Sequence, residues 1–378
     1  MGSRHGEYVG IGPLDEFPIH QAGQPVAWPV STDRNFYDRC YLNAHDRTGS
    51  IFLLTGLGFY PNLGTKDAYV LLRRGDTQTA VHLGDAADPR GADRLEQRVG
   101  GYRIEVTEPL RRLRVVLEET EGLALDLRWE GSFEVVQEQR HVMRQGSRVT
   151  LDAQRFAQVG TWSGLIAIDG EEIPVNPETW VGTRDRSWGI RPVGESEQPG
   201  RPAEPPFDGM WWLYVPLRFD EFAIIVILQE APDGFRTLND CTRVWSDGRV
   251  EQLGWPRVQI RYAPGTRVPT GATIACTTPD GKDLTIEVTS KVAVPLHVGA
   301  GYGGDPDWGH GQWKGAGFVE RRSYDMTEPS IVGRLMYGVI DHVAQATVDG
   351  AVGWGLFEHG ALGRHDPSGF QDWFDLAQ

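Results

Sequence analysis

The sequence predicts an all-β protein arranged as two tandem antiparallel β-barrel or sandwich domains. Three observations carry that prediction. Short β-branched and aromatic runs bounded by Gly, Asp and Pro recur along the chain, Asp-Gly pairs punctuate its second half, and the ends of the two halves echo one another. Helical periodicity is weak, with residues 85–99 and 140–156 the only contestable stretches.

At 378 residues the chain is longer than a typical single core and fits two domains. Its first ~40 residues, rich in Gly, Pro and aromatics without periodicity, read as a strap laid over a domain. From Ser50 onward, SIFLLTGLGFYP and DAYVLLRRGDTQTAVHLGD read as strands joined by turns, and Ile104, Val106, then Leu113, Val115 and Leu117 alternate at period two. Residues 195–206, ESEQPGRPAEPP, hold three glutamates, four prolines and no large apolar side chain. Such a segment cannot bury enough surface to order itself, so it is the expected linker between an N-terminal domain over 1–194 and a C-terminal domain over 207–378. Beyond it, the continuous apolar run in EFAIIVILQEAPDGF suits a strand packed on both faces, and Asp-Gly pairs at 233–234, 247–248, 280–281 and 349–350 mark hairpin turns.

The echo is local but ordered. In the first half IAIDGEEIPV leads to Val181-Gly182-Thr183-Arg184-Asp185-Arg186, and in the second ATVDGAV leads to Trp354-Gly355-Leu356-Phe357-Glu358-His359. Each is a strand, an Asp-Gly turn, a strand, then Gly, two residues, an acid and a base. With the similar lengths of the halves this favours a duplicated β unit, and a nearly closed barrel of that size protects its edges and encloses a pocket.

Composition excludes several classes of function. The net charge of -15, from 52 acids against 37 Lys and Arg, argues against a nucleic-acid partner. No apolar run reaches the ~20 residues of a membrane span, and the N-terminus has no apolar signal region, so the expectation is a cytoplasmic protein without an integral membrane segment. Cys40, Cys241 and Cys276 are too scattered for a disulfide framework or a zinc site. There is no nucleophile elbow, no zincin motif and no P-loop. The Gly299, Gly301, Gly304 run lacks the surrounding β-α-β unit of a dinucleotide site, so neither an organic cofactor nor a metal is expected.

The chemistry concentrates between Trp180 and Leu217, where Arg184, Asp185, Arg186, Ser187 and Trp188 precede the linker and Trp211, Trp212 and Tyr214 follow it. A polar cluster ringed by aromatics suits an apolar ligand with one reactive or polar end. Protonating an alkene needs a carboxylic acid kept neutral by an apolar setting, and Asp185 and Glu358 are the candidates. Arg184 and Arg186 flank Asp185, which favours a structural ion pair there; Glu358, between Phe357 and His359, has the better setting for a raised pKa or for orienting the His359 imidazole. The glycine-rich loop 299–317 reads as a lid carrying Trp308, His310 and Trp313, with His310 a proton carrier, or else as an ordinary hairpin loop with tucked tryptophans. Trp354 completes the set of candidate substrate-facing rings.

The string G-T-R-D-R-S-W-G, the DGMWWLY opening of the second half and the GWGLFEHG ending resemble the two-domain, lipocalin-like proteins related to bacterial carotenoid 1,2-hydratase (hydroxyneurosporene synthase). The resemblance runs in layout from about Phe36 to His359, and its specific part is Arg184, Asp185, Ser187, Trp188 and Gly189. It implies two calycin-like β domains whose interface or barrel mouth binds an apolar small molecule, and chemistry without an organic cofactor: water addition to an alkene, or cyclisation or isomerisation of a polyene. Two readings follow. One is a hydratase- or cyclase-type lyase or isomerase acting on an isoprenoid, steroid-like or polyene substrate by acid–base chemistry; the other is a lipid or isoprenoid carrier of the same fold.

Overall fold

A computed structural model describes residues 29–88, 93–197 and 206–378, together with Phe17. Most of the N-terminal strap, and residues 198–205 of the expected linker, lie outside the described residues. The fold is all-β, with two curled antiparallel sheets of 14 and 9 strands in a lipocalin-like arrangement. In the first sheet the neighbours run Ile51–Tyr60, Phe36–His45, Val181–Ile190, Arg148–Ile168, Leu123–Gly131. In the second they run Phe222–Glu230, Gly209–Arg218, Ala351–Gly363, Ile340–Val348, Asp283–Pro295. The order is the same in both: the last strand of each half returns to pair with its first. One strand crosses over, since Phe318–Asp325 extends the edge strand Thr77–Ala86 of the first sheet.

Both contestable helical stretches resolve against a long helix. The described residues of 85–99 hold one helical turn, Asp93–Glu96, and residues 140–156 form the strand His141–Gln145 and the start of Arg148–Ile168. The Asp349-Gly350 turn joins Ile340–Val348 to Ala351–Gly363 with φ of 49° and 84°, the paired positive values a two-residue hairpin needs and the reason these residue types stand there.

Among the described residues three large apolar cores stack, one inside each curl and one between the outer faces of the two sheets, with a small fourth cluster of Tyr37, Tyr60, Ala153 and Val193. Strand Phe222–Glu230 shows why its sequence has no polar alternation. Ile224, Val226 and Leu228 enter the core inside the second curl, whereas Ala223, Ile225 and Ile227 enter the core between the sheets. Phe36–His45 is divided likewise, with Cys40, Leu42 and Ala44 inside the first curl and Tyr41 between the sheets. A strand buried on both faces loses the period-two signature but keeps period-two side-chain direction. Within the second curl the reduced thiols of Cys241 and Cys276 meet at 3.6 Å despite their separation in sequence.

Candidate active site

Where the outer faces of the two sheets oppose each other, they leave a cavity of about 650 Å³. Strand register decides which side chains enter it. Tyr41 pairs directly with Asp185 in the first sheet, and Tyr214 pairs directly with Glu358 in the second. Both tyrosine–acid pairs face the cavity from opposite walls. Glu358 has a second direct partner, Asp341, across the Ile340–Val348 hairpin. Residues opposed in this way share a face and lie within side-chain reach.

Glu358 lines the cavity, with Asp341 behind it as its cross-strand partner. Tyr41 donates its hydroxyl to Asp341 Oδ2 at 2.5 Å, and the Trp212 indole N–H donates to Glu358 Oε1. Asp341 Oδ1 is buried and has no donor among the described residues. Burial, with the Glu358 carboxyl beside it, holds the Asp341 carboxyl well above the usual carboxylate range. Burial also raises Glu358, although hydrogen bonds from Asp341 and Trp212 and the charge of Arg155 work the other way. Two adjacent buried carboxyls resist full ionisation, because ionising both sets like charges side by side in low dielectric.

Asp185 departs from the expected ion pair with its sequence neighbours. Period two turns Asp185 and Ser187 into the cavity and Arg184 and Arg186 away from it. Arg186 instead bonds Asp38 at 3.0 Å, and Arg184 donates to Gln158 Oε1 at 2.8 Å. Burial raises the Asp185 carboxyl against the opposing pull of Arg155, Arg39 and Arg191. Arg155 rises from strand Arg148–Ile168 and lies over the rings of Trp212 and Tyr214, at 5.6 and 5.9 Å, with Glu138 at 3.5 Å. Burial pushes Glu138 up to about 8.

The structure therefore brings Glu358, Asp185, Trp212 and Tyr214 of the sequence-derived candidates to one cavity. The remaining candidates lie elsewhere. His359 points to the far face of its strand, where Nδ1 meets the Trp212 carbonyl at 2.6 Å and Nε2 meets the Tyr262 hydroxyl at 2.8 Å. Trp211 packs beside it in the core of the second curl. Trp188 is not among the cavity-lining residues; it sits one residue out of phase with Asp185 and Ser187. Trp354 is partly buried near His45, and Trp313 is exposed.

Loop 299–317 folds inward as a wall. Trp308 stacks on His82 at 3.9 Å, and Asp305 ties the loop to Arg334 at 3.0 Å and to the Gly299 amide at 2.6 Å. His310 is buried behind Tyr302, with ring centres 4.9 Å apart and Nδ1 3.6 Å from Asp67. Tyr302 is the loop residue whose ring lines the cavity.

Sequence reading missed Asp341, Tyr41, Arg39 and Arg155. A cue existed for Asp341 as the lone acid inside the apolar run VIDHVAQATV, and an acid in such a run is either paired or protonated. Among the described residues no group of three or more His, Cys, Asp or Glu has metal-binding geometry.

The chain belongs over residues 11–371 to a family of unknown function, DUF8625. No curated protein matches it by sequence. Its fold is similar to those of three solved structures. One is a protein assigned as AttH from Nitrosomonas europaea, with TM-score 0.52, 15% identity, and coverage of 86% of this chain and 92% of the other. Another is kievitone hydratase from Nectria haematococca, with TM-score 0.50, 12% identity and 93% coverage of both chains. The third is CghA, with TM-score 0.52, 13% identity, and coverage of 93% and 96%. At these identities the likeness establishes the fold, two lipocalin-like halves, and nothing further.

Proposed function

We propose that this protein is a cofactor-independent lyase or isomerase of the hydratase or cyclase kind, acting by acid–base chemistry on an apolar molecule held between its two sheets. The observation that carries the reading is the buried Asp341–Glu358 pair, whose Glu358 opens on the cavity. A proton held by this buried pair is available for transfer to carbon at neutral pH, which an ordinary surface carboxyl cannot offer.

Glu358 is the residue of the pair that lines the cavity, so it delivers the proton to an alkene carbon, and Asp341, bonded in turn to Tyr41, restores it. The alkene electron pair forms the new C–H bond. The electron-poor carbon left behind takes water, takes a second alkene, or loses a neighbouring proton; these outcomes are hydration, cyclisation and isomerisation. Asp185, on the opposite wall, is placed to accept the proton released by water or carbon. Substrates of isoprenoid, steroid-like or polyene kind match a cavity of this volume. The fold shared with a hydratase is consistent with the reading.

The test begins with mass spectrometry of whatever co-purifies with the protein, followed by incubation of that compound and a panel of isoprenoids and polyenes in heavy-oxygen water and in deuterium oxide. Heavy oxygen in product marks hydration, and deuterium on carbon without oxygen marks cyclisation or isomerisation. Recovery of every compound unchanged and unlabelled contradicts the enzyme and leaves a carrier of the same fold.

A further inference from the structure

The cavity is charged unevenly. Ser187 pairs with Arg39 on one neighbouring strand and with Arg155 on the other, so the three stand in one cross-strand row. Directly opposed residues project from the same face, and all three line the cavity. Arg191, just past the end of Val181–Ile190, lines it too. The guanidinium carbons of Arg39 and Arg191 lie 5.0 and 5.7 Å from the ring centre of Tyr302, so the two charges converge on one side of the cavity.

Arg155 has Glu138 at 3.5 Å as its counter-ion. Arg39 and Arg191 differ: neither side chain has an ion-pair or hydrogen-bond partner among the described residues, although Arg39 is only 7% exposed. Two acids face them. Asp185 occupies the adjoining cross-strand row without forming an ion pair with either, and Asp67 is engaged by the Tyr60 hydroxyl at 3.0 Å and the Gly311 amide at 2.6 Å. Burial works against the Arg39 charge, and Tyr302, Tyr60 and Asp67 outweigh it and keep the guanidinium charged, without taking its N–H donors into an ion pair or hydrogen bond. The faces of Trp212, Tyr214 and Tyr302 already carry guanidinium groups, so this wall favours negative charge over positive.

We infer that Arg39, Ser187 and Arg191 are the seat for an oxyanion on the ligand, which is therefore an acid: an apolar body ending in a carboxylate or an ionised enol. The guanidinium fork matches such oxygens, and the Ser187 hydroxyl between the arginine strands adds a third donor. The inference deepens the proposed function, resting on it for the claim that this ligand is the substrate. With the anion seated there, the rest of the molecule extends toward Glu358 on the other wall of the same cavity.

Two matched pairs of probes test the seat: all-trans-retinoic acid against methyl retinoate, and the enol acid 4-hydroxycoumarin against 4-methoxycoumarin, followed by quenching of intrinsic tryptophan fluorescence at pH 7. In at least one pair the acid should bind about tenfold or more tightly than its neutral partner, which is about 1.4 kcal/mol. The pair that shows the preference identifies carboxylate or enol. The preference should collapse to about twofold or less in Arg39→Met/Arg191→Gln. The single variant Arg191→Gln, at a half-buried position, should lose part of it and serves if the double variant does not fold. Equal affinities within both pairs, a preference that survives in the variants, or no binding of either acid overturns the assignment. Glu358→Gln should keep the preference intact. A Glu358 variant with undiminished turnover therefore removes the proton-transfer reading and leaves the seat standing, whereas equal binding of acid and neutral probe removes the seat alone.

Discussion

Asp341 and Glu358 face each other across the hairpin of Ile340–Val348 and Ala351–Gly363, one bonded by the Tyr41 hydroxyl and the other by the Trp212 indole. The two outer donors stabilise negative charge, and burial with the mutual repulsion of the carboxyls works against it. The arrangement links both sheets, since Tyr41 comes from the first and Trp212 from the second.

Glu358→Gln is expected to lower turnover by roughly 10²-fold or more while ligand affinity stays within about twofold, because the amide keeps shape and hydrogen bonding but has no transferable proton. Asp341→Asn should lower turnover as well, by slowing return of the proton. Steady-state kinetics with separate equilibrium binding checks both; a parallel loss of affinity would point to a structural role.

Trp212→Phe removes a hydrogen bond that favours the charged form of Glu358. The Glu358 pKa then rises further. The alkaline limb of the pH–rate profile, where activity falls as the pair gives up its proton, should move to higher pH. A limb that stays put or moves to lower pH contradicts the assignment of that limb to Glu358.

Asp38→Asn is expected to cost about 3–5 kcal/mol of stability, since it removes one charge of the buried Arg186–Asp38 pair. Asp185→Asn should change the melting temperature little, because Asp185 opens on the cavity and pairs with neither flanking arginine. Thermal melts of the two variants side by side separate the roles, and the reverse ranking would restore the ion pair expected from sequence adjacency.

Stability should peak near pH 6.5 and fall on both sides. Burial lowers His45 and His310 to about 4 and His141, His342 and His359 to about 3, all from 6.5. These five are neutral when folded and take up protons on unfolding, so the stability present above pH 6.5 is lost as pH falls toward 4 and 3. Glu138 runs the opposite way: raised from 4.5 to about 8, its contribution is complete below pH 4.5 and is lost as pH rises to about 8. Burial lowers His82 and His297 as well, so seven histidines stand against the five raised carboxyls of Glu138, Asp185, Asp240, Asp341 and Glu358, and the net slope on the acid side is positive. Calorimetric melting temperatures between pH 4 and pH 9 check the curve, and a flat profile from 4.5 to 6.5 contradicts it.

The fold was legible because its signals are local. Period two, Asp-Gly turns and the apolar run at 222–230 each depend on neighbours in sequence. The site was half legible. Glu358, Asp185, Trp212 and Tyr214 stood out by residue type, but adjacency suggested Arg184 and Arg186 as partners of Asp185, and strand geometry sends adjacent side chains to opposite faces. The same alternation separates Trp211 from Trp212 and His359 from Glu358. Asp341 and Tyr41 are 300 residues apart, and only the apposition of the two sheets brings them together.

The most direct test of the account needs no substrate. Infrared difference spectra of the wild type against Glu358→Gln and Asp341→Asn at pH 7 report whether this pair carries a proton. The account predicts a protonated-carboxylic-acid carbonyl band in the wild type that each variant removes or shifts, and that titrates away only well above the usual carboxylate range. Spectra in which the variants differ from wild type only in ionised carboxylate bands would show both groups charged at neutral pH, and would contradict Glu358 as the acid.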